Sequence, residues 1–520
     1  MPRPTRIKGG NKPATKSPSS VPGTTKPRPT SGTTGKNANS VSSAEPARSK
    51  RRQQSEGPAP RASKKLKADR ATNDTPSQKL DIYVFGEGES GELGLGPKPI
   101  QGRKPTDVRY PRRNTLLDPT TVGVVQVAVG GMHCIALTYD QKIITWGVND
   151  TVALGRDTTW EAPTRDIDQD SDAEDSDEES DLNPKECTPT SIPMENFGKN
   201  LPTFVQVAAT DSASFVVTSE GSVYGWGTFS ANDGLFGFTT KDAIQAAKIK
   251  DEEKKLQKKL QRKPVPVLHL TKIKSIATGN NHVVALDSNG KAYAWGAGEQ
   301  NQLGRSIVER TRYASLTPCR LALSPKIKQV ASGAYHSFAI GENGLVYAWG
   351  SNNFGQTGIV DGAGEGDAVI PKPTIVESLR PYKIREITGG EHHSIACTDD
   401  GKLLIWGRCD DGQAGFKLEN LAEQDLLFDS RGKPRILLKP TVISGIHVVS
   451  VAAAIDNSIA VTAEGKAYSW GFSANYRTGL GTDETVKEAT LLAKGDIANR
   501  KITFAGCGGQ FSILAGPAQG

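Results

Sequence analysis

At 520 residues the chain is long enough for several domains, and its 55 glycines and 31 prolines against only 6% aromatic residues point to turn-rich architecture, not long helices. No apolar run approaches the roughly 18 residues a spanning helix needs, and the amino terminus has no apolar signal region, which argues for a soluble protein with no membrane partner. The formal charge of +7 conceals an asymmetry: residues 1–80 carry 18 Lys or Arg against 4 Asp or Glu, and removing that +14 leaves −7 for residues 81–520.

The first 80 residues are Pro, Ser, Thr, Gly, Lys and Arg with almost no large apolar side chain, so they bury too little surface to offset their ordering entropy. A disordered tail is expected. Two basic clusters, Lys50-Arg51-Arg52 and Lys64-Lys65-Leu66-Lys67, stand eleven residues apart, as in a bipartite nuclear import signal. The same charges suit contact with a phosphate backbone, and the plain alternative is a solvating tail.

A first strand, Ile82 to Gly86, precedes Gly86-Glu-Gly88-Glu-Ser-Gly91, which formally matches the dinucleotide fingerprint. That fingerprint needs a helix and a βαβ unit around it. Here Glu92-Leu93-Gly94-Leu95-Gly96 continues the turn, and related turns at residues 296–304 and 350–358 mark it as repeat punctuation.

Aromatic-glycine strand ends recur seven times, at Phe85-Gly86, Trp146-Gly147, Trp226-Gly227, Trp295-Gly296, Trp349-Gly350, Trp406-Gly407 and Trp470-Gly471, spaced 61, 80, 69, 54, 57 and 64 residues apart. Residues 384–407 show the unit whole: an apolar strand, a glycine turn, a second strand, an Asp-Asp-Gly turn and a third strand ending in Trp406-Gly407. The first halves also number seven but run out of step, so the chain opens on an orphan second half (82–86) and closes on an orphan first half (504–514). The ends must complete each other. A repeat of this length whose terminal strands pair is an all-β, seven-bladed propeller spanning residues 81–516, closed without an open edge.

Insertions decorate the ring. An acidic run at residues 166–181, within an insert of about 164–185, must loop out of the second blade; its serines 171, 176 and 180 are candidates for phosphorylation, and a basic partner such as histone or the chain's own basic arm is the functional alternative to a solvated loop. At residues 228–237 Phe229-Ser230-Ala231-Asn232-Asp233-Gly234-Leu235-Phe236 replaces the usual short turn and reads as a protruding hairpin with a type I′-like tip, or else an insertion folded onto its blade. Residues 241–263 are helix-prone, with Ile244, Ile249, Leu256 and Leu260 forming a sparse apolar stripe on a surface helix. Residues 304–313 form a basic loop whose Arg305, Arg310 and Arg312 can pair with acidic groups on a partner.

No reacting constellation is present: there is no phosphate-binding loop, no zinc motif and no nucleophile elbow. The six cysteines lack metal-ligand spacing and are expected to be reduced and mostly buried in an intracellular protein. Four of the seven histidines, His133, His282, His336 and His393, share one repeat position and are expected to be structural. At the variable positions of the same Gly-x-x-His turn stand Asp211, Asn281 and His392, with Glu89 in the first turn after the orphan strand; these side chains are expected to line one polar face.

These repeats, Gly-x-x-His-x-x-Ala followed by Gly-x-x-Tyr-x-Trp-Gly, resemble those of the regulator of chromosome condensation family, the exchange factors of the GTPase Ran, in a fungal-type form. The resemblance covers residues 81–516. It implies a monomeric exchange factor that performs no covalent chemistry, needs no cofactor or metal, and works in the nucleus on chromatin. It further implies a GTPase-binding face at Glu89, Asp211, Asn281, His392 and His393, a wedge at residues 229–236 that disfavours bound nucleotide, and an arginine loop, Arg310 and Arg312, set against the histone acidic patch of the nucleosome, with the tail on DNA. Glu89 replaces an Asp of the animal proteins, Asn281 an Asp and Ser230 an Arg. Because the repeat also serves other functions, a nuclear scaffold without exchange activity is the alternative.

Overall fold

The computed structural model describes residues 73–162 and 182–519, so the basic clusters at 50–52 and 64–67 and the acidic run lie outside the described residues. Seven antiparallel sheets form the blades. Blade 1 combines both ends of the chain: Leu80–Gly86 pairs with Phe511–Pro517 over seven residues, from Leu80↔Pro517 to Gly86↔Phe511, and Val108–Arg113 and Phe504–Cys507 flank them.

Each blade has at least four strands, where the repeat pattern alone gives three, and blade 6 adds a fifth, Leu426–Phe428, at its edge. In blade 6, Ile384–Gly389, His393–Thr398 and Leu403–Arg408 are followed by a longer outer strand, Pro434–Ile443. The outer strands lack a pattern because one face meets water and some, such as Thr190–Ser191 and Cys319–Arg320, are only two residues long. The chain is held to the ring upstream of residue 80 as well, since the Asn73 side chain donates to Ile273 O at 2.9 Å.

Adjacent blades lock through their tryptophans. Six indoles are at most 1% exposed, and five donate Nε1–H to a carbonyl in the preceding blade's glycine turn: Trp146 to Glu92 (3.1 Å), Trp226 to Ala153 (2.7 Å), Trp349 to Gln302 (2.8 Å), Trp406 to Gln356 (3.0 Å) and Trp470 to Gln413 (2.8 Å). Those turns need glycine twice over. Gly155 has φ +65°, and a Cβ there would sit 2.6 Å from Nε1 of Trp226.

A second buried relay runs nearer the axis. His133, His282, His336 and His393 place Nε2 at 2.9, 2.7, 2.7 and 2.8 Å from Ser214, Ser337, Ser394 and Ser458 of the following blade. Ser214, Ser337 and Ser394 each donate their proton to a backbone carbonyl, at 2.8, 3.2 and 2.7 Å, so the imidazole must be the donor in those pairs. Burial lowers the pKa of all four rings, to about 4 for His133 and His393 and about 3 for His282 and His336, and they are neutral at physiological pH.

The relay explains why a glycine precedes each ring by three residues. A Cβ on Gly279 or Gly333 would meet the imidazole carbon at 2.2 Å, and one on Gly508 would meet Phe511 at 2.3 Å. Where the glycine is lost the ring is lost with it: Thr210 goes with Ala213, and Ala454 with Asn457. Asn457 is too short for the relay, and among the described residues neither of its buried polar atoms has a hydrogen-bond partner, although Ser512 stands ready at the next position and donates to Arg477 O at 2.9 Å. Asn457→His alone should therefore destabilise the ring. The pair Ala454→Gly with Asn457→His should exceed the natural chain by about 1 kcal/mol in a urea titration. A single Asn457→His that stabilises as well as the pair would contradict the glycine argument.

Two sequence expectations need correction. Residues 241–263 are not one helix but two short ones, Thr240–Ala246 and Glu252–Lys259, after which Gln261–Pro266 is the outer strand of blade 3. Asp251 starts the second helix by accepting from the Lys254 amide, and the face that packs is Ala243 and Ala246, whereas Ile244 and Leu256 are each 43% exposed. Among the described residues, no helix is long and apolar enough to cross a membrane. Four of the six thiols, at Cys134, Cys187, Cys397 and Cys409, are buried, and Cys319 is exposed.

Candidate functional site

Antiparallel connection puts every Gly-x-x-His turn and every loop after Trp-Gly at one end of the sheets. That end is one face of the ring, and it holds Glu89, the 229–237 hairpin and the arginine loop together. At its centre opens an axial channel of about 930 Å³, lined by the innermost strands.

Backbone hydrogen bonds run round the mouth of the channel from blade to blade: Asp211 N to Asn280 O (3.0 Å), Asn280 N to Ala334 O (3.1 Å), Ala334 N to Gly390 O (3.0 Å) and Glu391 N to Ile455 O (3.1 Å). This belt fixes two acids at the rim. Burial, and then the charge of Glu391, raises the Asp211 carboxyl to about 6; burial and Asp456 raise Glu391 in turn. Tyr335 sits among Glu391, Asp211 and Glu299, with its phenol raised chiefly by burial. His392 packs its ring 4.4 Å from Phe354, and burial lowers its pKa.

The hairpin stands beside this acidic mouth. Phe229–Ala231 pairs with Gly234–Gly237. Phe229 is fully buried, 5.8 Å from Phe238 and 6.1 Å from Phe215, whose ring meets Trp295 edge-on at 6.0 Å. These phenylalanines fill the space that a glycine turn fills elsewhere. Phe236 is 5% exposed, so the surface offered to a partner is Ser230 to Leu235. Replacing Phe229 by Ala would cost about 3–5 kcal/mol and test the blade instead of the hairpin. The tip is not a type I′ turn: φ is positive at Gly234 (+97°) but at neither Asn232 nor Asp233.

Side chains from outside hold the hairpin. Asn281 Oδ1 accepts from Ser230 N at 2.7 Å, Glu299 accepts from Asn232 N at 2.7 Å, Arg312 donates to Asp233 at 2.8 Å, and Lys259 donates to the Leu235 carbonyl. Arg312 also lies 5.6 Å from the centre of the Phe236 ring and 5.0 Å from that of Tyr313.

A family model described as the RCC1-like domain matches residues 81–514. The chain belongs to the RCC1-like family. It is 40% identical over 445 residues to protein pim1 of Schizosaccharomyces pombe, covering 85% of this chain and 75% of that one. It is 39% identical over 448 residues to the guanine nucleotide exchange factor SRM1 of Saccharomyces cerevisiae, covering 84% and 88%. The crystal structure of Prp20p from Saccharomyces cerevisiae, described together with its binding to Gsp1p and histones, superposes with a TM-score of 0.73 at 36% identity, covering 85% of this chain and 92% of that one.

Within this RCC1-like ring the expected site residues separate. Glu89 is exposed, and Asp211 and His392 are half-buried at the mouth. His393 differs from that expectation: its ring is fully buried in the serine relay, 2.8 Å from Ser458, and offers no exposed surface, because it occupies the repeat's structural position. Asn281 faces the hairpin, with its oxygen occupied by Ser230. Arg310 is exposed, but Arg312 is committed to Asp233 and the aromatic rings, which leaves it braced. Arg305 is half-buried, its guanidinium Nε and Nη2 lack a partner among the described residues, and burial lowers its pKa.

Sequence reading missed Glu391, Asp456 and Tyr335. They were available, since the turn has two variable columns. The first holds Asp211, which lines the channel, and Glu391 at its rim; the second holds Asn281, Tyr335, His392 and Asp456, of which Asn281, His392 and Asp456 lie against the preceding blade. Asp456 is balanced by Gln413 at 2.7 Å and Arg408 at 3.4 Å. No group of three or more His, Cys, Asp or Glu able to hold a metal occurs among the described residues.

Proposed function

We propose that this protein is a guanine nucleotide exchange factor for the small GTPase Ran, acting from chromatin in the nucleus. The observation that carries the reading is the braced hairpin beside an acidic mouth, in a chain 39% identical to a named exchange factor. Glu89, Asp211 and Glu391 attract a basic surface of the GTPase, His392 adds a half-buried polar contact, and Arg305 offers donors with unmet partners. The hairpin then presents Ser230, Ala231, Asn232, Asp233, Gly234 and Leu235 to the region around the phosphates.

The work done is coupling, not bond making. Binding of the factor and of nucleotide oppose each other, and such coupling is reciprocal. The factor loosens GDP, incoming nucleotide expels the factor, and the cell's excess of GTP sets the direction. A cofactor has no part in this scheme. Arg310 and the basic arm supply anchoring: Arg310 suits an acidic histone surface, the arm suits DNA phosphates with a salt-dependent and sequence-indifferent affinity, and Lys50, Arg51, Arg52, Lys64, Lys65 and Lys67 direct import. The protein works as a monomer.

Mixed with GDP-loaded Ran, the protein should yield a nucleotide-free binary complex on gel filtration, and excess GDP or GTP should dissolve it alike. A complex that retains its nucleotide, or none at all, would instead mark a scaffold.

The Asp211 carboxyl, at about 6, supplies a pH test. It is protonated below pH 6 and charged above, so the KM for Ran should fall as pH rises through 6. Asp211→Asn should flatten that part of the profile; an unchanged profile would remove Asp211 from the contact.

A further inference from the structure

The hairpin is too small to hold its own shape. It has three paired positions, Phe229↔Gly237, Ser230↔Leu235 and Ala231↔Gly234, with an irregularity between the first two, and an isolated two-stranded ribbon is marginal in water. The buried Phe229 fixes its root but not the angle of its tip.

The tip is held from the neighbouring blade. Glu299, an exposed residue in the loop after Trp295-Gly296, directs its carboxylate at a backbone amide of the turn, Asn232 N. Arg312 holds the next residue, Asp233, from the segment Glu309–Leu316, which is itself tied down where Thr240 Oγ1 donates to Tyr313 O at 2.9 Å. Both residues of the turn are thus gripped by charged side chains of blade 4. Charge-assisted bonds are the stronger kind, and here they come from two separated points on the one connection between Ala292–Gly296 and Cys319–Arg320.

We propose that Glu299 and Arg312 are positioning residues of the exchange hairpin, a blade-4 clamp that fixes its tip so that GTPase binding displaces nucleotide and does not simply bend the hairpin. The inference rests on the exchange reading above. A wedge transmits force only as far as it is stiff: with the clamp intact, docking the GTPase on the acidic mouth drives the tip toward the phosphates. With the clamp cut, the GTPase docks equally well and the hairpin yields. The deficit therefore belongs to kcat and not to KM. Asn281, at the root, keeps the hairpin attached in either case.

The test uses the full chain carrying Glu299→Ala, Glu299→Gln or Arg312→Ala, with two readouts. Amide hydrogen exchange in the free protein should speed up at Asn232 in Glu299→Ala and stay slow in Glu299→Gln, whose amide oxygen still accepts from that N–H. Steady-state exchange on Ran should show kcat reduced about tenfold in Glu299→Ala and Arg312→Ala, the loss expected for one charge-assisted bond. KM should stay within about twofold and kcat should largely return in Glu299→Gln. Unchanged amide protection, an unchanged kcat, or a loss confined to KM would each overturn the proposal, the last by making Glu299 a contact residue. Failure of the exchange reading itself looks different, because the natural chain would then not accelerate release at all.

Discussion

Five of the blades each lay an indole on the glycine turn of the blade before, and the rest of the molecule depends on that contact. Trp146, Trp226, Trp349, Trp406 and Trp470 both fill the space left by a missing Cβ and bond a carbonyl of the same turn. Losing one such ring would cost on the order of 3–5 kcal/mol. The histidine relay repeats the principle nearer the axis. Phe85 takes the indole's place at the seam, its ring 2.7 Å from where a Cβ on Gly479 would be. The closing blade therefore obeys the same packing rule, and the paired termini leave no open edge there.

The functional face is where that rule is broken. Blade 3 has no glycine turn after Trp226-Gly227, and no indole bond is found for Trp295 among the described residues. Three phenylalanines, 215, 229 and 238, occupy the gap, and Phe229 carries the chain outward into the hairpin. A single substitution of packing element thus converts a structural turn into a projection while the ring stays closed. The acids at the channel mouth are a departure of another kind. The belt of backbone bonds holds Asp211 and Glu391 where water is scarce and like charges are close, and their pKa values rise in consequence.

Much of this was legible in the sequence, because the repeat states its own geometry. Seven aromatic-glycine ends, and first and second halves out of step, are enough for the ring and its seam. Outer strands were not legible, since a two-residue strand such as Cys319–Arg320 has no period to read. The 241–263 segment misled because helix propensity is local, whereas a cap at Asp251 and the need for a fourth strand at Gln261–Pro266 are set by the blade. His392 and His393 look equivalent in sequence yet differ in kind: alternation along the strand sends one to the rim and one into the relay. The clamp on the hairpin was invisible, as Glu299 and Asn232 are 67 residues apart.

The central claim is that a ring made rigid by its tryptophans holds one hairpin that drives nucleotide from a GTPase. Release of a fluorescent GDP from Ran is the most direct measurement, comparing the full chain with one in which residues 230–235 are replaced by a short glycine turn while Phe229 and Phe236 remain in the core. The account predicts strong acceleration by the natural chain and almost none by the shortened one, with both equally stable to urea. Equal rates from the two, or no acceleration by either, would contradict it.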